Sequence, residues 1–267
     1  MSVKKLKEKV DEKLKNQVKI DVSKSEMIKV LSEASRIAKD QGICISKEFM
    51  TAASGTLVML KELPWMEEHE IVFHSPETIH KLEAILRTIP SDEELEFILK
   101  DNFLIVKSEK REVKFKCSTK LLLVIYNKMI SANIYETYSK LNNGAYIELS
   151  KEKFSEINKV ADTIGAEKYR FSLNKDKTEI DLKLFKDDSS EENETSLQYS
   201  ENGFNIKIDD TEKDLKTELK DIETFLFAAD VFSSIPAQNF KFYFNIAEAG
   251  ILECEDGTLF ALGKLRN

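Results

Sequence analysis

Apolar and polar positions follow two different periods along this chain, and the two take turns in a fixed order. A short stretch of period two ends in a polar residue. A stretch with a period of roughly 3.6 follows, and then short period-two stretches return. The order recurs about four times, with starts that read QVKIDVS, HEIVFHS, AYIELS and KTELKD and helical stripes over residues 27–38, 79–89, 154–164 and 222–232. Recurrence of one supersecondary unit marks a repeat architecture, in which each unit buries its apolar face against its neighbours. Such a pattern points to a protein whose shape carries its function.

Residues 17–22 alternate as a strand. Ser23, with Glu26 three residues on, forms a capping-box pattern that starts the first helix. That helix is expected to run to residue 39, with Gly42 closing it. Strands are expected at 43–46, 49–53 and 56–63, before Pro64-Trp65 breaks the run. The second unit starts at 70–74. Ser75 caps its helix, Pro76 takes the first helical position and Pro90 ends it. Strands at 95–100, 103–108 and 112–117 then form a meander. Residues 120–144 break the pattern with the apolar run LLLVIYN followed by a polar stretch, and read as a link between domains, with or without an added strand. In the third unit a strand begins at 145, Ser150 caps a helix that ends near Gly165, and strands follow at 168–173, 179–185, 196–200 and 204–208. The acidic loop at 187–194 is too polar to pack. The fourth unit has a strand at 217–220, a helix over 221–235 ended by Pro236, and strands at 240–246, 250–255 and 258–262, the last hairpin turning on EDG. The organisation is therefore a charged extension at 1–16, one domain at 17–119, a connector at 120–144 and a second domain at 145–267.

Steps of about 100° per residue assign the helix faces. On the first helix Met27, Val30, Leu31, Ala34 and Ala38 share the core side, opposite Ser25, Lys29, Ser32, Arg36 and Lys39. On the second, Ile79, Leu82, Ile85, Leu86 and Ile89 face the core, while His80, Lys81, Ala84, Arg87 and Thr88 face away. On the third, Phe154, Ile157, Val160, Ala161 and Ile164 are core, and Lys151, Ser155 and Lys159 face out with Glu152 and Asp162 on the same side. Charged free faces are ordinary, but three equivalent helices with basic residues outward make a local positive surface able to hold phosphates without reading sequence. Lys24, Lys29, Arg36, Lys39, His80, Lys81, Arg87, Lys151 and Lys159 are its candidate contacts. The fourth helix departs from this: Asp221, Glu223 and Asp230 are its charges, and Phe227 and Val231 point away from its stripe. It reads as a subunit contact in preference to a loose domain edge.

The chain has 267 residues, 42% hydrophobic and 33% charged, enough for two globular domains. A net charge of −8 argues against bulk attraction to nucleic acid, so any polyanion must meet a local basic surface. Cys44, Cys117 and Cys254 are odd in number and set among apolar strand residues, which suits buried free thiols in a reducing compartment. No apolar run reaches the length of a membrane span, and the N-terminus lacks the apolar core of a signal peptide. A cytoplasmic, nucleoid or viral-replication location is expected, and secretion is not.

Three stretches carry a resemblance. KEFMTAASGTLVMLKEL at 47–63, LEAILRTIPSDEELEFILKDNFLIVKS at 82–108 and FYFNIAEAGILECEDGTLFALGKL at 242–265 are similar to the sliding DNA clamps, above all to the proliferating cell nuclear antigen type and its viral polymerase-processivity relatives. The resemblance covers about residues 17–267, by layout more than by identity. It implies an α+β, two-domain clamp fold, each domain a duplicated strand–helix–strands module with outer antiparallel sheets and inner helices. It further implies a head-to-tail homotrimeric ring around double-stranded DNA, bound without regard to sequence. That ring would tether a DNA polymerase and would be placed by a clamp loader. Partners would insert short motifs with apolar and aromatic anchors. The family's partner pocket maps by position onto Met50, Ser54, Gly55, Leu121, Leu123, Ile125, Tyr126, Pro236, Phe260, Ala261 and Leu262. The run 121–126 fits an ordinary buried strand as well.

No chemistry competes with that reading. The chain has no Gly-rich phosphate loop. His69, His74 and His80 lack zinc spacing. Glu93-Glu94 and Asp209-Asp210 sit in turn-like positions, and no G-x-S-x-G frames Ser54. No catalysis, cofactor or metal is expected. The competing class is a clamp-fold adaptor, or a monomeric processivity factor that binds partners or DNA on one face.

Overall fold

The computed structural model of the chain describes residues 17–38, 43–45, 50–54, 57–66, 71–73, 76–117, 133–134, 136–139, 144–186, 198–208, 224–244 and 249–265. The first half runs β1 (Gln17–Ile20), α1 (Lys24–Ile37), β2 (Ile43–Ile45), β3 (Met50–Ser54), β4 (Leu57–Lys61), β5 (Ile71–Phe73), α2 (Pro76–Thr88), β6 (Glu96–Lys100), β7 (Phe103–Lys107) and β8 (Glu112–Lys116). The second runs β9 (Ala145–Leu149), α3 (Lys151–Ile164), β10 (Lys168–Leu173), β11 (Glu179–Phe185), β12 (Tyr199–Asn205), β13 (Lys207–Ile208), β14 (Thr224–Ala228), α4 (Ala229–Ser234), β15 (Phe240–Tyr243), β16 (Ala249–Cys254) and β17 (Leu259–Gly263). Backbone contacts divide the chain into two compact units: Met1–Ser54 with Lys61–Met129, and Gly55–Leu60 with Ile130–Asn267.

In the first unit β1, β6, β7 and β8 form an antiparallel sheet in that order, and β2 pairs antiparallel with both β3 and β5. Alternation of the pleat sends Ile20, Phe97, Leu99, Leu104, Val106 and Phe115 to one face, where all are buried. Helices α1 and α2 pack together, α1 also against β3 and α2 against β5 and β8. Helix α1 starts where the sequence puts it: Ser23 is extended, and its Oγ accepts the Glu26 N–H at 3.2 Å. The turn between β6 and β7 uses Asp101 at φ 54°, a position that Asp tolerates.

In the second unit β12, β11, β10 and β14 form one antiparallel sheet, and β13, β9, β15, β16, β17 and β4 follow one another in another. Helix α3 opens on Ser150, whose Oγ accepts from the Lys153 N–H at 3.1 Å. It closes on Gly165 at φ 64°, where the Ala166 N–H reaches back to the Ala161 carbonyl at 2.8 Å, the double closure of a Schellman end. Between the sheets sits a cluster of rings: Phe171 stacks on Phe225 at 5.3 Å, Tyr169 on Phe232 at 4.6 Å, and Phe154 meets Phe240 at 4.8 Å.

Several expectations need correction. The helix over 221–235 is instead strand β14 followed by the six-residue α4. A continuous apolar run suits a buried strand as well as a helix. Here pairing with β10 decides, because it sets Phe225 against Phe171 and Phe227 against Tyr169. Phe227 and Val231 are buried, so the outward apolar patch that suggested a subunit contact does not exist. The strands expected at 196–200 and 204–208 are one strand, β12, followed by the short β13. Residues 201–203, the gap between those two expected strands, form a bulge: Gly203, at φ 86°, donates its N–H to Asp181 Oδ1 at 3.3 Å. Helix α1 ends at Ile37, with Ala38 as its C-cap. Gly42, Ser75, the strand at 217–220 and the loop at 187–194 lie outside the described residues. Of the connector, residues 133–134 and 136–139 are helical, and its apolar run LLLVIYN, the place for an added strand, lies outside the described residues.

Candidate nucleic-acid interface and partner groove

The helix faces come out close to the expected assignment. Met27, Val30, Leu31, Ala34 and Ala38 are buried on α1, and Ile79, Leu82 and Leu86 on α2 with Ile89 just beyond it. Phe154, Ile157 and Ala161 are buried on α3. Ile85, Val160 and Ile164 are only half-buried. Lys29, Arg36, His80, Lys81, Arg87, Lys151 and Lys159 are exposed, and Lys39 lies outside the described residues.

Charge on these faces is more mixed than the basic residues alone suggest. Lys24 Nζ donates to the carbonyls of Ile89 and Pro90, at the C-terminal end of α2. A cation is favoured there by the helix dipole, so Lys24 ties α1 to α2 and is half-buried in doing so. The same contact, with Ser35 Oγ near Glu83 Oε2 at 3.5 Å, makes the two helices antiparallel neighbours. Lys81 pairs with Glu77 at 2.6 Å and Arg87 with Glu83 at 2.7 Å, each one turn along α2. Glu77 is drawn below the usual carboxylate range by its hydrogen bond to Lys81. On α3, Glu152, Glu156 and Asp162 are exposed beside Lys151 and Lys159. Lys153 binds Glu156 at 2.9 Å and Glu201 at 2.5 Å, and these carboxylates raise its pKa well above the ordinary value. On α1, Glu33 is taken up by Lys61 at 2.8 Å. Among the described residues, the exposed helix cations Lys29 and Arg36 on α1 and Lys151 and Lys159 on α3 form no ion pair.

The partner pocket divides by pleat. In β17, Phe260 and Leu262 are fully buried, and Phe260 meets the ring of Phe240 at 6.2 Å on the α3 side of the sheet. Neither is open to a partner, whereas Ala261 alternates to the opposite face. There it joins a cluster of Leu60, Tyr146, Tyr243, Ile251 and Leu259, flanked by Val58, Ile134 and Tyr138. Ile134 and Tyr138 come from the helical segment of the connector, so this segment lies on the sheet face that Ala261 occupies. Glu253 fixes it: Tyr138 donates to Oε1 at 2.5 Å and Tyr243 to Oε2 at 3.0 Å. The face continues in alternating charge, with Lys207 on Glu148 at 2.6 Å and Lys241 over the Tyr146 ring at 4.8 Å. Pro236 is half-buried after α4. Met50 and Ser54 lie in β3, while Gly55, Leu121, Leu123, Ile125 and Tyr126 lie outside the described residues. The sequence reading missed Ile134 and Tyr138, although their spacing of four was the available signal.

Nothing in the described residues assembles a reaction centre. No group of three His, Cys, Asp or Glu residues there could hold a metal, and no helix there is long and apolar enough to cross a membrane. The three cysteines are buried and form no disulfide, and burial pushes the Cys117 thiol up to about 11. An open cavity of about 760 Å³ beside the β7–β8 turn is acidic, lined by Asp92, Glu93, Glu94 and Glu109 with Lys107 and Lys110, and holds no nucleophile–base pair.

No family model matches the chain, and no curated protein matches it in sequence. Solved structures match its fold. The DNA polymerase sliding clamp of Caulobacter crescentus superposes with a TM-score of 0.64 at 14% identity, over 94% of this chain and 66% of its own. The DNA polymerase III subunit beta of Pseudomonas aeruginosa gives 0.62 at 10% identity, over 94% and 66%. The proliferating cellular nuclear antigen of Entamoeba histolytica gives 0.56 at 14% identity, over 94% of this chain and 98% of its own. The chain thus spans just under two thirds of the bacterial clamps and almost all of the Entamoeba protein. With its doubled strand–helix–strands units and antiparallel sheets, the chain has the sliding-clamp fold.

Proposed function

We propose that this protein is a DNA polymerase sliding clamp, a processivity factor that closes head to tail into a homotrimeric ring around duplex DNA and performs no catalysis itself. The observation that carries the reading is the doubled unit in a chain that covers 98% of the Entamoeba clamp: two units per chain make three chains the natural count for a six-unit ring. Two features support it. Among the described residues β8 in one unit and β12 in the other are edge strands paired on one side only, as is β1 at the far end of its sheet. Two different open edges on one chain are what a heterologous, head-to-tail contact requires. The helix faces present exposed cations, of which Lys81 and Arg87 are paired with acids on their own helix, which suits a duplex that slides over a weak, sequence-blind field.

Polymerase and loader would reach the ring through short apolar and aromatic motifs. These would dock beside the connector helix, at Val58, Ala261, Ile134 and Tyr138. The site of action would be wherever the genome is copied, in cytoplasm, nucleoid or viral replication site. A second reading, a clamp-fold adaptor or monomeric factor that binds on one face, is favoured by the pairing of Lys81 and Arg87 with acids on their own helix. Light scattering over a range of concentrations separates the two. A mass near three chains, with primer extension lengthened on closed circular template, is expected for the ring; a concentration-independent monomer rules it out.

A further inference from the structure

We propose that the helix-free face of the β1-β6-β7-β8 sheet binds single-stranded DNA, with Phe103 as the platform for an unpaired base and Lys100 and Lys116 as the phosphate contacts. Pairing in register sets Phe103 directly opposite Lys100 on β6 and Lys116 on β8. The three side chains therefore form one row across the sheet. Phe103 is the exposed large hydrophobic residue among the described residues, at 39%. It lies on the solvent side of a sheet whose other face carries the buried core.

Charge on this face is better placed for an anion than on the helices. Its two acids are already neutralised, Glu96 by Lys19 at 2.9 Å and Glu112 by Lys114 at 3.2 Å. Lys100 and Lys116 form no ion pair among the described residues, and Asp101 follows Lys100 in the adjoining turn. The opposite end of the same sheet is the acidic cavity of Asp92, Glu93, Glu94 and Glu109, which repels phosphate and confines the strand to the Phe103 end. Screening over roughly 8–10 Å at physiological salt lets this local pattern act despite the acidic chain.

The occupant follows from the chemistry. A flat sheet with an exposed ring between cations gives a base a surface to stack on and gives its flanking phosphates a partner on each side. A duplex keeps its bases stacked internally and gains nothing from Phe103. Ring closure is not needed, since a single chain carries the whole row.

The test is anisotropy of a fluorescein-labelled oligothymidylate and of a matched duplex, titrated with the full-length protein at several salt concentrations. Single-strand binding should weaken about tenfold in Phe103→Ala, with duplex binding unchanged. Lys100→Gln with Lys116→Gln should flatten the salt slope by about 1.4, as expected for two phosphate contacts on a single strand. Phe103→Trp should keep the affinity and show quenching on binding. Lys29→Gln with Arg36→Gln, on the helix face, should leave single-strand binding as it was. The proposal is overturned if Phe103→Ala binds like the wild type, or if the helix-face variant alone abolishes binding. It is also overturned if polyglutamate displaces the oligonucleotide at equal charge, which would make the face a dock for an acidic protein segment.

Discussion

Gly250 sits in β16 where the ring cluster of the second unit leaves no room for a side chain. A Cβ built there would lie 2.7 Å from Phe242 Cε2, 3.0 Å from Phe227 Cζ and 3.2 Å from Phe242 Cζ. Carbon atoms settle at about 3.5–4.0 Å, so Gly250→Ala requires the Phe242 ring to retreat by roughly 0.8 Å. Phe242 cannot move freely: it is fully buried, with Phe171 at 5.3 Å, Phe227 at 5.8 Å and Phe225, Phe232 and Phe244 at 6.3 Å. Overpacking of this kind costs about 1–3 kcal/mol. The lower backbone entropy of alanine in the unfolded chain offsets about 0.4–1 kcal/mol of that. A net loss of about 1–2 kcal/mol should lower the melting temperature by about 2–8 °C for a unit of this size. Urea unfolding followed by circular dichroism measures it as a lower midpoint at constant slope. Phe242→Leu tests the cause, since a smaller side chain should absorb part of the clash and make the double variant less unstable than the sum of the singles. An unchanged or raised midpoint in Gly250→Ala, or strict additivity in the pair, would refute the reasoning.

Three further predictions concern groups with defined partners. Burial lowers the Lys264 amine from 10.5 to about 8, while its Nζ donates to the Phe244 carbonyl at 3.0 Å. Between those two values the unfolded chain holds a proton that the folded chain lacks, so this group makes folding more favourable as pH rises through the window. The urea midpoint of the wild type, measured against Lys264→Met, should therefore gain ground from pH 8 to pH 10; a gap that shrinks or stays flat contradicts the assignment. Because Cys117 is buried and its thiol pushed up to about 11, it should resist alkylation at neutral pH until the chain unfolds, as should Cys44 and Cys254; mass spectrometry after iodoacetamide treatment reads this directly. Tyr138→Phe removes one of the two hydroxyls on Glu253 and should speed amide exchange across residues 133–139 by about tenfold, while exchange in β16 stays put.

The sequence disclosed those elements in which period and punctuation agree. Ser23 and Ser150 each cap the helix they precede, Gly165 ends α3, and β10 and β11 fall where alternation puts them. It misled where one local pattern serves two structures. Residues 225–229 are apolar at successive positions, and only the rings of Phe171 and Phe244, distant in sequence, select a strand over a helix at Phe225–Ala228. ENG at 201–203 carries turn chemistry, yet a facing Asp181 turns the glycine into a bulge. The helix faces were legible because side-chain direction follows from helical period. Their net charge was not, because it depends on which carboxylates lie within reach of Lys81, Arg87 and Lys153. In the same way, alternation in β17 leaves Ala261 on the connector's side and takes Phe260 and Leu262 out of reach, a distinction that position in a family pattern does not make.

One strand of the second unit is borrowed from the first half of the sequence. Residues 57–60 of β4 pair with Leu259–Leu262 of β17, and Leu60 helps fill the cluster beneath the connector helix. A fragment beginning at residue 130 would therefore carry a gap where that strand belongs, with β17 as an unsatisfied edge prone to recruit any extended chain. The unit can complete itself only after a contact spanning about two hundred residues has formed, which makes its folding slow and dependent on the whole chain having been made. The same gap makes the fragment a receptor: a synthetic peptide of residues 55–61, supplied in trans, should insert as the missing strand, as in donor-strand complementation.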